Sequence, residues 1–117
     1  MQLESRKYLF DIQEAARLVS QFTKARSFQD YQNDAMLRLA VERAFSIIGE
    51  AFVQLARIDA ATAARITDHQ RVIAFRNILV HAYAHIDDRL VWDIVESKLP
   101  VLLQEVSSIM DEPDEAK

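Results

Sequence analysis

Apolar positions along the chain recur at steps of three and four rather than two, and the stripes are long. From about Ser5 to Arg26, Leu9, Ile12, Ala16, Val19 and Phe22 make one such stripe, the mark of an amphipathic helix, with Glu4, Lys7, Asp11, Glu14, Arg17 and Lys24 on the solvated side. Ser27 and Asp30 mark a break, and Phe28 to Tyr31 is expected to form a short helical turn that covers the bundle end. A second long helix is predicted from about Asn33 to Arg57. Met36, Ala40, Ala44, Ile47, Ala51 and Leu55 form one apolar row in it, and Leu37, Val41, Ile48 and Phe52 a second beside it. That surface is too wide for one neighbour, so the helix belongs at the centre of a bundle or is shared with a second subunit. Gly49 is the chain's only glycine, and inside a helix it points to close approach by another helix.

Asp59 is placed to cap a short helix through Ala60 to Ile66, and Thr67 or Asp68 to cap the next one. In that helix Val72, Phe75 and Leu79 make the buried row and carry Arg76 on its shoulder. Asp87 or Asp88 starts a last helix, from about Arg89 to Met110, with Val91, Ile94, Val95, Leu102, Val106 and Ile109 facing inward. Pro100 falls in its middle and predicts a kink or break near Leu99. Trp92 is expected in the core or as interface cover. The pattern predicts an all-α fold, a single domain over residues 1–110. An acidic tail, 111–117, lacks an apolar stripe and is expected to be disordered.

Composition narrows the chemistry. Without cysteine there is no disulfide framework, thiolate metal site or cysteine nucleophile. No signal peptide or bilayer-length apolar run is recognisable, which makes the cytoplasm the default location and no membrane partner the expectation. The net charge of −4 argues against a broad basic surface for nucleic acid. Between Arg65 and Ile86, however, stand three arginines, a single aspartate and all three histidines. Such a local basic patch suits a confined phosphate site or an acidic partner. His81 and His85 are four residues apart, but no carboxylate pattern completes a metal site, so neither metal nor cofactor is expected.

The densest chemistry lies in Arg76-Asn77-Ile78-Leu79-Val80-His81-Ala82-Tyr83. A histidine moves protons near neutral pH, and an arginine presents a charged fork to phosphate. Together they suit RNA cleavage by attack of the ribose 2′-OH on its own phosphate. His81 is the candidate general acid or base, Arg76 the candidate stabiliser of phosphoryl charge, and Asn77 a candidate neutral substrate contact. On a continuous helix Tyr83 returns to the Arg76 face while His81 lies about 140° away. Either the helix unwinds near His81, or a second copy completes the site. On spacing alone, the plainer reading is the favoured one, with Arg76 as a surface ion-pair residue and His81 as a hydrogen-bonded helix-end histidine.

The string Arg76-Asn77-x-Leu79-Val80-His81-x-Tyr83 resembles the Arg-x4-His-x-Tyr signature of the HepT-like branch of HEPN proteins, the toxin half of HEPN/MNT toxin-antitoxin pairs. Tyr8-Leu9-x-Asp11-Ile12, Ser27-Phe28, Ile47-Ile48-Gly49-Glu50-Ala51 and Leu90-Val91-Trp92 fall in the same order, so the likeness covers about residues 6–110. The resemblance implies an antiparallel HEPN-type bundle of four to five helices, homodimeric, acting as a metal-independent endoribonuclease through Arg76 and His81 at a dimer cleft. It also implies neutralisation by an MNT-type nucleotidyltransferase antitoxin that attaches AMP to Tyr83, and it places the Gly49-Glu50 pair near the motif helix. Two other functions remain open: a non-catalytic helical module that presents a substrate to a nucleotidyltransferase, and a pocket that binds nucleotide without turnover.

Overall fold

The first apolar stripe forms α1 (Leu3–Thr23), where Leu9, Ile12, Ala16 and Val19 are fully buried. The structure is a computed structural model that describes residues 1–113, Tyr83 by its backbone alone. Past α1, Ala25 takes a left-handed conformation and turns the chain into α2 (Phe28–Asn33). A reciprocal capping box starts α2: the Asp30 N–H donates to Ser27 Oγ, and the Ser27 N–H to the Asp30 carboxylate. Asp34 ends that turn and caps α3 (Ala35–Ile58) through the Leu37 N–H. Tyr31 of α2 is completely buried, its ring centroid 5.4 Å from that of Trp92, which places Trp92 in the core.

Asp59 caps α4 (Ala60–Ala63), which is shorter than the helix to Ile66 expected from sequence. Neither Thr67 nor Asp68 caps α5 (His69–His81) with its side chain. Asp68 is left-handed, and its carboxylate pairs with Lys98 at 3.2 Å, while the Thr67 N–H and hydroxyl donate to Glu105. A 3₁₀ turn, Tyr83–His85, leads to α6 (Asp88–Asp93), capped by Asp87. A π-helical segment, Ile94–Lys98, joins α6 to α7 (Leu99–Asp111) without a gap. Here the Leu99 N–H reaches Ile94 O, so the helix absorbs Pro100 by widening one turn ahead of it rather than by breaking.

The ends of the helices give their directions. Ser5, at the start of α1, donates to Asp59 at the end of α3, and Arg6 donates to Met110 O near the end of α7. Farther along, Gln13 donates to Ser107. α1 is therefore antiparallel to both α3 and α7, with the main core between them and α5 laid on α3. Among the described residues the chain is all-α, with no strand. The apolar rows of α3 hold with two exceptions. Met36 is 80% exposed although Leu37 beside it is buried, and Phe45 packs inward against Phe75, edge to face at 5.3 Å. At the C-terminus Asp111 closes α7 and the Glu112 carboxylate pairs with Arg65. Residues 114–117 of the tail expected to be disordered lie outside the described residues. No described helix is long and apolar enough to cross a membrane.

Candidate active site

The close approach that Gly49 suggested is made by Arg76 itself. A Cβ at position 49 would lie 2.3 Å from Arg76 Cβ and 2.6 Å from its Cγ, so only glycine admits α5 at this distance. The contact sets the stem of Arg76 against α3, and the following residue of α3, Glu50, receives the head. Arg76 Nε and Nη2 both donate to Glu50 Oε2, at 3.2 and 2.5 Å, while Nη1 donates to Asn77 Oδ1 at 3.1 Å. A guanidinium has five N–H donors. Among the described residues three are engaged, leaving one on Nη1 and one on Nη2 for a ligand. The arginine side chain is 24% exposed, against 53% for Glu50. Its stem is packed and its head reaches solvent.

Leu79 is the buried anchor of α5, helped by half-buried Val72 and Phe75, and this places Arg76 on the shoulder of the buried face as the apolar row predicted. His81 is the last residue of α5, exposed, and its side chain makes no hydrogen bond or ion pair among the described residues. Five helical positions separate it from Arg76, about 140° around the axis. The helix does end at this point, but only after His81, so the turn does not swing the imidazole to the Arg76 face. Tyr83 lies beyond the end, with its backbone in the 3₁₀ turn, and the return to the Arg76 face expected of a continuous helix does not apply.

The structure thus joins Arg76 and Asn77 by a hydrogen bond, while His81, one helical turn beyond Asn77 on α5, lies about 140° around the axis from Arg76. Asn77 serves Arg76 as an acceptor, a relation that spacing did not suggest. Glu50 was given no role at the site from sequence, but the resemblance placed the Gly49-Glu50 pair near the motif helix, and the pair does lie against Arg76. On another side of α5, Phe75, Ile78, Leu90, Ile94 and Leu102 line a cavity of about 360 Å³, with Arg71 and Lys98 also at its wall. His69 and His85 make no side-chain hydrogen bond among the described residues. Among these residues no group of three or more His, Cys, Asp or Glu is placed to hold a metal ion.

The family described as "Ribonuclease HepT-like" matches residues 12–109. The chain is 36% identical over 102 residues to a Methanocaldococcus jannaschii protein named "Putative RNase MJ1380", covering 87% of this chain and 93% of that protein. It is 33% identical over 102 residues to the Thermococcus cleftensis protein named "Probable ribonuclease HepT", covering 87% and 92%. No solved structure gives a significant match. The chain belongs to the HepT-like ribonuclease family.

Proposed function

We propose that this protein is the toxin of a HEPN/MNT toxin-antitoxin pair: a metal-independent endoribonuclease acting in the cytoplasm. Its single domain, about residues 1–110, works as a homodimer whose two copies pool Arg76 and His81 in a cleft. The observation that carries the proposal is the division of labour on α5. Arg76 is held with two N–H donors that have no partner among the described residues, while His81 stands exposed and without a hydrogen bond among them, about 140° farther around the helix. Exposed Ile78 and Val80, 40% and 43%, flank these residues and favour coverage by a second copy.

In the cleft, His81 takes the proton of a ribose 2′-OH as O2′ bonds to the adjacent phosphorus. The P–O5′ bond breaks, leaving a 2′,3′-cyclic phosphate, and the departing 5′ oxygen takes up a proton. Arg76 stabilises the charge that grows on the non-bridging oxygens, and Asn77 adds a neutral contact. The antitoxin, an MNT-type nucleotidyltransferase, transfers AMP from ATP to the Tyr83 hydroxyl with release of pyrophosphate. The added phosphate and bulk close the cleft to RNA.

A complementation assay tests the pooled site. Arg76→Ala and His81→Ala chains, each inactive as a homodimer, are unfolded, mixed and refolded together. Recovery of part of the wild-type cleavage of bulk RNA supports the shared cleft, and no recovery in verified mixed dimers contradicts it. One observation favours a second function, that of a non-catalytic partner of a nucleotidyltransferase: Glu50 offsets the Arg76 charge in a chain of net charge −4. That alternative predicts no cleavage by wild type at any enzyme concentration.

A further inference from the structure

We propose that Glu50 is a positioning residue for the phosphate-binding arginine, and that it aims the fork at the cost of weaker substrate binding. This rests on the ribonuclease function proposed above. A carboxylate beside a phosphate site is electrostatically adverse, because it repels the substrate and offsets the cation meant to hold it. Its presence therefore needs a compensating role, and the hydrogen bonds supply one.

Glu50 does not cap the fork. A single oxygen, Oε2, accepts from both Nε and Nη2, along one side of the guanidinium. Asn77 Oδ1 takes one donor of Nη1. The plane of the group is thereby fixed from two directions, by a residue of α3 and a residue of α5. Among the described residues one N–H remains without a partner on each terminal nitrogen, the number a two-point phosphate contact uses. The Gly49 contact sets the stem of the same side chain, so stem and head are both held by adjacent residues of α3. Arginine carries much rotamer entropy, and a guanidinium fixed before substrate arrives does not lose that entropy during the reaction.

Orientation and charge have separable signatures. Removing the Glu50 carboxylate takes a negative charge from the phosphate site and frees the arginine to move. Ground-state binding then tightens while turnover falls. A residue that only stabilised the fold through an exposed ion pair would shift the melting temperature slightly and leave kcat and KM alone.

The experiment compares wild type, Glu50→Ala and Glu50→Gln. It measures kcat and KM on a short RNA, and Kd for the same oligonucleotide made non-cleavable by 2′-deoxy substitution. For Glu50→Ala the expected result is a kcat lowered on the order of tenfold or more. Its Kd for the non-cleavable RNA tightens roughly two- to fivefold. Glu50→Gln keeps an amide oxygen that accepts from Arg76 but carries no charge, so it retains most of kcat and shows the same tighter Kd. An unchanged kcat in Glu50→Ala overturns the proposal, as does weaker RNA binding in either variant. If wild type cleaves nothing, the ribonuclease function itself fails, and the Kd arm still shows whether Glu50 opposes phosphate at Arg76.

Discussion

Gly49 and Arg76 touch so closely that a methyl group at position 49 would overlap the Arg76 side chain, its Cβ falling 2.3 Å from Arg76 Cβ. The atoms it meets lie at the root of the arginine and cannot swing aside as a flexible tip would. α3 and α5 would have to part, and the arginine would leave Glu50.

Gly49→Ala therefore has opposed local and tertiary effects. Alanine improves helix propensity by about 1 kcal/mol. Overpacking costs roughly 1–3 kcal/mol, and here it acts at the root of the side chain, so the tertiary term wins. The variant is expected to melt below wild type and, on the proposed function, to lose RNA cleavage by about tenfold or more as Arg76 shifts. Thermal unfolding and an RNA cleavage assay on the same preparation check both. A higher melting temperature would mean that the helices part easily.

Asp59 ends α3 and ties it to two other elements: it caps α4 through the Thr62 N–H, accepts from the Thr62 hydroxyl, and accepts from Ser5 of α1. Burial works to raise its pKa, but these hydrogen bonds outweigh burial and hold the carboxyl below its ordinary value. A depressed carboxyl contributes stability above its unfolded pKa, near 4, and that contribution disappears as pH falls through the folded value. Asp59→Asn is expected to be less stable than wild type by about 1 kcal/mol at pH 7. The gap should narrow steadily below about pH 4. Urea denaturation of both proteins from pH 7 to pH 3 measures it.

Tyr31 has the opposite sign. Its ring is fully buried against Trp92, but its hydroxyl has no hydrogen-bond partner among the described residues. Burial, with lesser contributions from Glu42 and Asp88, pushes the phenol well above its usual pKa. Tyr31→Phe removes a desolvated group and keeps the ring. It is expected to be neutral or to stabilise by up to about 1 kcal/mol. Chemical denaturation checks this, and a loss of stability above that size would mean that the hydroxyl is satisfied in solution.

Local patterns were the legible part of this fold. The stripe of α1, the Ser27 and Asp30 break, the caps at Asp59 and Asp87 and the meaning of Gly49 all depend on residues within a turn or two of one another, or on a backbone property of one residue. Competition between distant groups was not legible. Asp68 sits where a helix cap belongs, yet Lys98, thirty residues on, takes its carboxylate. Pro100 announced a disturbance, but whether a helix breaks or widens depends on what Val95 and Leu99 must bury on either side. At the site, spacing placed His81 off the Arg76 face and the structure agrees. The partner of Arg76 lies twenty-six residues away on another helix, and no local rule says which carboxylate an arginine meets. The end of α5 at His81 carries no glycine or proline to mark it, so the wheel position of Tyr83 was drawn for a helix that stops two residues short of it.

The measurement that bears most directly on the proposed function is cleavage of bulk tRNA and mRNA in EDTA by the unmodified protein. His81→Ala, purified identically and shown to have the same oligomeric state, is run beside it. Cleavage by wild type, and a loss of about 10²-fold or more in the variant, is the predicted result. No cleavage by wild type, or equal cleavage by both, would contradict the assignment of His81 as the proton-transfer residue of a ribonuclease.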